Sequence, residues 1–439
     1  MKAKTMNAVK MLFCKLKQLF LTNYRLRNIF LIILFVFLFT MCKDEKKYPV
    51  GVDFDPEIVR LGDNGDNWCM TIGEDNALYT AQCDGRGWYN EDASQKDFKN
   101  YHVWRISGGP DATSFHAEMI EHPDYSRTGL TEIHGPVIPP DSVIEFPGSN
   151  AKLLNDWNWY GYGIVSIDGN IYQFISHCGA RRGWSWFDGT QLIWRPKGEN
   201  SWKRWNGTDA HDRDRWLLNE GGNQLMFFNE PEHAFSFITV AQYGKDYQEN
   251  KDGYVYLYSP EGKLKAANLN MARVKKGDIL DRDKWEYFTK INKNGDAEWI
   301  MGNIAKRGIV HKFPEGWGFY SWSPSVVWNA KLGLFIMVTG GSQRPGTGDP
   351  MSSSPHNESG SLMFLYAENP WGPWTQFYWK ENWQVGEDIN RLYLPQLAPK
   401  WISEDGKTMQ LVFSDAANSH STYYKWNMQK ITLIMSGGD

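Results

Sequence analysis

The chain has 439 residues, 47 of them basic and 51 acidic, with 15% aromatic residues at a mean hydropathy of −0.54. Residues 1–42 hold seven of the basic residues and no acid, so the remainder carries 40 basic against 51 acidic residues, a formal charge of −11. That balance argues against a nucleic-acid partner, because no pervasive basic surface exists to release counterions, while the 22 Trp, 21 Tyr and 23 Phe suit a strand-rich chain with rings to spare for flat, partly apolar ligands such as sugars.

The chain opens with Lys2, Lys4, Lys10, Lys15, Lys17, Arg25 and Arg27, followed by the apolar run Ile29 to Phe39. This is the form of a secretory signal, and the run is shorter than the ~20 apolar residues a spanning helix needs. It ends at Phe39-Thr40-Met41-Cys42, a loose lipobox that lacks the usual small residue before the cysteine. Residues 1–42 are therefore expected to be a lipoprotein signal peptide with Cys42 as the lipidated residue, 43–54 a tether, and 55–439 one catalytic domain. An ordinary cleavage site that removes Cys42 is the alternative reading, and Met6 and Met11 are alternative starts. Cys42-Lys43-Asp44-Glu45 resembles the lipoprotein export signal of Bacteroidetes, which implies an outer-membrane, lipid-anchored protein displayed on the cell surface.

Three cysteines remain beyond Cys14 and Cys42. Cys69 and Cys83 flank a turn and could form a cross-strand disulfide in an oxidising compartment. Cys178 would then be a buried thiol or a metal ligand.

Further along, short apolar-aromatic runs bounded by Gly, Asp and Asn recur, and no long segment keeps a 3.6-residue apolar period. Residues 67–72 turn at Glu74-Asp75-Asn76 into 77–79, and 163–167 turn at Asp168-Gly169-Asn170 into 171–174. Residues 235–240 and 254–258 form a further strand pair. Residues 324–328 turn at 329–333 into 334–338, and 397–402 turn at Glu404-Asp405-Gly406 into 409–413. Repeated hairpins at this wide spacing predict an all-β chain, a β-propeller of seven blades, with five also compatible; a two-sheet sandwich with a second domain is the competing architecture.

Several phrases carry a family resemblance: Tyr160-Gly161-Tyr162-Gly163-Ile164-Val165-Ser166-Ile167-Asp168-Gly169, Gln191-Leu192-Ile193-Trp194, Gln242-Tyr243-Gly244-Lys245-Asp246-Tyr247, Asp252-Gly253-Tyr254-Val255-Tyr256, Ser323-Pro324-Ser325-Val326-Val327 and Asn369-Pro370-Trp371-Gly372-Pro373-Trp374. Together they resemble secreted carbohydrate-active β-propellers, and within that group the propeller-fold ulvan lyases. The resemblance implies a monomeric polysaccharide lyase that acts on an acidic, ulvan-like polymer by β-elimination, with a His, a Tyr and an Arg sharing the chemistry and no catalytic metal.

Elimination beside a uronate needs a group that neutralises the carboxylate and a His or Tyr to take and return protons. His177 closes an apolar strand and opens a loop with Arg181, Arg182 and Trp184, in a segment to Arg215 where basic residues outnumber acids; Arg195 follows Trp194 at the end of another strand. These supply a catalytic histidine and substrate-binding guanidinium and indole groups. Tyr243, beside Gly244, is the tyrosine candidate, expected to turn into a cleft. His134 and His116 are further candidate bases in a segment of weak pattern.

No metal motif occurs in the sequence. A structural zinc through Cys178 and histidines is implied by similar propeller lyases, and calcium is conceivable at Asp63-Asn64-Gly65-Asp66 or Asp212-Arg213-Asp214. The alternatives to a lyase are a glycoside hydrolase, which needs two carboxyl groups drawn from candidates such as Asp66, Asp188, Asp246 and Glu358, and a non-catalytic surface glycan-binding lipoprotein.

Overall fold

The computed structural model describes residues 46–88, 99–123, 144–145, 152–153, 157–179, 187–211, 226–260, 267–314, 322–342, 360–381, 383, 392–415 and 424–437. The chain divides into a small unit, Met1–Tyr48 with Met435–Asp439, and a large one, Pro49–Ile434. In the small unit the Tyr48 amide donates to Ser436 Oγ at 3.0 Å and the Ser436 amide donates back to the Tyr48 carbonyl at 2.8 Å.

The large unit opens with β1 (Pro49–Leu61). Blade 1 follows as β2 (Met70–Ile72), β3 (Leu78–Gly85), β4 (Lys99–Ser107) and β5 (His116–Met119), and a two-stranded ribbon as β6 (Ile144–Glu145) and β7 (Lys152–Leu153). Blade 2 is β8 (Trp157–Ile167), β9 (Asn170–Gly179), β10 (Phe187–Arg195) and β11 (Lys203–Arg204). Blade 3 is β12 (Thr239–Val240), β13 (Tyr254–Pro260), β14 (Asn268–Lys275), β15 (Glu286–Ile291) and β16 (Ala297–Met301), with β17 (His311–Lys312) paired to β14. Blade 4 is β18 (Ser325–Asn329), β19 (Leu334–Ser342), β20 (Gly360–Ala367) and β21 (Thr375–Lys380). Blade 5 is β22 (Leu392–Leu397), β23 (Thr408–Asp415) and β24 (Trp426–Met435), completed on its outer edge by β1.

The protein is thus an all-β, five-bladed propeller, not one of seven blades and not a sandwich. The predicted hairpins fall on β2–β3, β8–β9 and β18–β19, and the further strand pair on β12–β13; the last hairpin is shifted, because its first strand, β22, ends at Leu397 and residues 398–402 are not strand. Left-handed Asn76 and Asp168 show why turn residues punctuate these runs: their short polar side chains tolerate a positive φ.

Two sequence expectations are corrected. The tether does not extend to residue 54, because Pro49 to Phe54 already belong to β1. Its partner β24 lies at the far end of the chain, and local pattern cannot announce it. Gln429 Nε2 donates to the Asp55 carbonyl at 2.6 Å and Lys430 pairs with Asp55 at 2.5 Å, so the first strand seals the last blade. Cys69 and Cys83 form no disulfide; both are free, buried thiols. Cys83 bridges to Asp66 instead, while Cys69 precedes β2 and its carbonyl accepts from Ala81.

The core runs between neighbouring blades. Trp68 of blade 1 packs on Trp426 of blade 5 at 5.3 Å between ring centroids and on Trp88 at 5.2 Å, with Trp104 and Phe115 around Trp88. Such pairs add ~1 kcal/mol each beyond their burial, and here they join the first and last blades. Between blades 2 and 3 the backbones touch: the Gly163 amide donates to the Ile238 carbonyl at 2.9 Å, and a Cβ at residue 163 would lie 2.8 Å from that oxygen.

Candidate active site

At the entry to the inner strand of blade 1, Asp66 and Cys83 exchange backbone hydrogen bonds at 2.9 and 2.8 Å. The segments on either side are knitted further, because Arg86 and Gly87 both donate to the Asn64 carbonyl. A Cβ at Gly85 would lie 2.1 Å from that carbonyl oxygen, so this approach requires glycine. Asp84, between Cys83 and Gly85, has a left-handed φ of 45° inside β3, a conformation few non-glycine strand residues adopt and one that clusters at functional sites. The pairing therefore places two carboxylates, Asp66 and Asp84, in one neighbourhood.

Both act on the same partners. Burial comes first, and then the charges of Asp66 and Asp84, in holding the phenols of Tyr393 and Tyr424 far above the ordinary tyrosine range; Cys83 is raised in the same way. Asp66 is only 4% exposed, and burial pushes its carboxyl up to about 7 even though the Tyr424 hydroxyl donates to Oδ2 and opposes the shift. A carboxyl that titrates near neutrality inside a protein is suited to proton transfer.

All five blades contribute around these carboxylates. Asn67, left-handed at φ 54°, accepts from Ser323 Oγ at 3.1 Å, and Gln396 Nε2 donates to that same hydroxyl at 3.2 Å, so blades 1, 4 and 5 share one polar network. Tyr162 of blade 2 packs, tilted by 40°, with its ring centroid 3.7 Å from that of Phe237 in blade 3, and Trp322 lies 5.5 Å from Phe237 and 6.0 Å from Tyr393. The site is a pair of acids set in tyrosine, tryptophan and amide groups.

Among the described residues, Tyr243, His116 and Arg195 do not join this site. Tyr243 is 5% exposed and packs against Tyr247 and Phe335 in the core, and burial holds its phenol far above the usual range, so it does not turn into a cleft. His116 is exposed on β5, the outer strand of blade 1, opposite Ser107. Arg195 is occupied: Nε donates to the Glu199 carbonyl at 2.6 Å and Nη2 to Asn200 Oδ1 at 2.8 Å. It lines a separate cleft of about 130 Å³ with Glu74, Asp75, Tyr79 and Lys197, at the turn that follows β2, opposite to the end where Asp66 lies. The backbone of His177 pairs with Trp159 and Gly189 in blade 2, but its side chain lies outside the described residues, as do Cys178's side chain and His134, Arg181, Arg182 and Trp184 entirely.

Of the four carboxylate candidates, Asp66 is in the site. Asp246 is buried elsewhere, held by Ser166 Oγ at 2.7 Å and by the Gly169 amide. The side chain of Asp188, and Glu358, lie outside the described residues. Asp84 was missed: nothing in local alternation marks it, and the one available signal was an acid between a strand cysteine and the glycine-rich Gly85-Arg86-Gly87.

Among the described residues no group of three or more His, Cys, Asp or Glu side chains is placed to hold a metal. Of the calcium candidates, Asp63 pairs with Arg86 and Asp66 is buried against Tyr424, while Asp212 and Asp214 are not described.

Fold and site define a five-bladed propeller with a carboxyl pair at the entry of its first inner strand. Residues 203–430, more than half of the chain, match the family model for a "Domain of unknown function (DUF5005)", and the chain belongs to that family. No curated protein matches the sequence. Similar solved structures include a glycosyl hydrolase from Bacteroides ovatus (10% identity over 88% of this chain and 94% of that one, TM-score 0.42) and an exo-1,5-α-L-arabinanase from a bovine ruminal metagenomic library (8%, 86% and 94%, TM-score 0.43). A third is the arabinanase Arb43A of Bacillus subtilis (10%, 84% and 95%, TM-score 0.40). The lyase expected from the sequence is corrected here: the similar solved structures are described as a glycosyl hydrolase and two arabinanases.

Proposed function

We propose that the protein is a glycoside hydrolase acting on a polysaccharide or its oligosaccharides, with Asp66 and Asp84 as the catalytic carboxyl pair. The observation that carries this reading is the convergence of the two acids on the same buried tyrosines, with one of them, Asp66, titrating at about 7. Hydrolysis of a glycosidic bond needs one carboxylic acid to protonate the departing oxygen and one carboxylate to attack the anomeric carbon or to activate water. Asp66, raised to about 7, is partly protonated at neutral pH, and in that form it supplies the proton to the glycosidic oxygen as the C–O bond breaks. Asp84, left-handed within β3, is the second carboxyl. Water then adds at the anomeric carbon, its proton returns to the carboxyl pair, and the products are two shorter glycans.

The basic, acid-free leader and the acid-containing patch after Cys42 support placing this activity on the outer-membrane surface, anchored through Cys42, where a polymer can be met outside the cell. The protein acts there as a monomer in this reading.

The test is to incubate residues 43–439 with a panel of neutral and acidic polysaccharides and chromogenic glycosides, following new reducing ends. Asp66→Asn and Asp84→Asn should each lower kcat at least ~10³-fold while glycan binding persists. Full turnover in either variant would remove the assignment. The stereochemistry of the first-formed anomer, read by proton NMR, tells whether Asp84 attacks or activates water.

A further inference from the structure

Tyr424 is attached to the start of blade 1 at two points. Its carbonyl accepts from the Gly65 amide at 3.0 Å, and its hydroxyl donates to Asp66 Oδ2. Ser414, on β23 of the same blade, reinforces the junction: its hydroxyl donates to the Gly65 carbonyl at 2.8 Å and accepts from Trp68 Nε1 at 2.9 Å. The phenol is 4% exposed, so neither its ring nor its hydroxyl has room to swing away. Blade 5 thus holds Asp66 by one carboxylate oxygen.

We propose that Tyr424 is a positioning residue for the carboxyl pair: its hydroxyl fixes Asp66 by Oδ2 and leaves Oδ1 as the edge that exchanges a proton with the glycan. This rests on the hydrolase reading for its catalytic meaning, although the link between Tyr424 and the ionisation of Asp66 does not. The titratable groups whose charge is felt with that of Asp66 are Cys69, Cys83 and Asp84 on blade 1, Tyr162 on blade 2, and Tyr393 and Tyr424 on blade 5. Asp66 has one hydrogen-bond donor of known direction in this set, Tyr424, and a donor to the ionised form favours that form. Its removal therefore makes Asp66 hold its proton to higher pH.

Two measurements test this. In Tyr424→Phe the limb of the kcat/KM profile set by Asp66 should move up by about one pH unit, with kcat at the optimum falling more than KM rises. Independently of turnover, the pH dependence of thermal stability that reports Asp66 should move in the same direction, and the movement should vanish in Tyr424→Phe combined with Asp66→Asn. If Tyr424→Phe fails to fold, 3-fluorotyrosine at position 424, a stronger donor of the same shape, should shift both readings downward. Unmoved readings in the stability titration would overturn the proposal. A moved stability titration in a protein that hydrolyses no glycan would keep the Tyr424–Asp66 link and overturn the hydrolase reading instead.

Discussion

Asp246 of blade 3 accepts the backbone amide of Gly169, in the hairpin turn of blade 2, through both carboxylate oxygens at 3.0 Å. The Asp246 amide donates in turn to the Ile72 carbonyl of blade 1 at 2.8 Å, so one residue ties three blades together at the turn end of the inner strands. A buried charge of this kind is matched to fixed donors and serves cohesion. Asp246→Ala should lower unfolding stability by ~2–3 kcal/mol in urea titrations, since it leaves the Gly169 amide and Ser166 hydroxyl without their acceptor. The kcat of the folded variant should stay within a factor of two. A loss of turnover with stability intact would place Asp246 in the chemistry.

The acid at residue 66 carries a pH signature. Its folded carboxyl is raised to about 7 from an ordinary value of 3.8, so the unfolded chain gives up this proton first as pH rises. Stability is then fully retained below pH 4, declines between about pH 4 and 7, and levels off above, a loss of at most ~4 kcal/mol at ~1.4 kcal/mol per unit. Asp66→Asn removes the titrating group and keeps an acceptor for Tyr424. Melting temperatures should show the variant gaining on the native protein from pH 4 to pH 8; equal slopes would refute the buried carboxyl.

At residue 84 conformation and charge can be separated. The left-handed backbone disfavours a Cβ by ~1 kcal/mol or more, less for Asp than for Ala. Asp84→Gly should therefore unfold at higher denaturant than Asp84→Ala, while both lose hydrolysis equally. A glycine variant no more stable than the alanine one would mean the strain is relieved elsewhere.

Thiol chemistry gives a fourth check. Burial, opposed by a Ser323 contact and aided by the charge of Asp66, lifts Cys69 to about 12, and Cys83 is raised further above its usual range. Neither forms thiolate at pH 8. In residues 43–439 carrying Cys178→Ser, a disulfide reagent should titrate no thiol in the folded protein and two after denaturation; rapid reaction in the native state would show that water reaches the carboxyl pair's neighbours.

The residues with strong local preferences were legible without a structure. The runs before and after Asp168-Gly169 and the 329–333 turn read as hairpins because apolar alternation and left-handed turn residues act within a few positions. The same locality explains the misses. Tyr243 beside a glycine was expected to turn into a cleft, yet Phe335 and Tyr247 bury it, and Arg195 was expected to bind substrate, yet two of its donors go to its own loop at Glu199 and Asn200. Asp66 was one of four acids of equal standing until Tyr424, 358 positions away, closed on it.

The sequence by itself determined the all-β class, the hairpin unit and the negative charge, since each follows from residue chemistry over short stretches. Only the tertiary structure decided that there are five blades, that β1 completes the last of them, and that the charges of Asp66 and Asp84 act on the same tyrosines of blade 5. Those facts depend on closing a ring between the two ends of the chain, and ring closure is a matter of packing between Trp68 and Trp426, not of any local pattern.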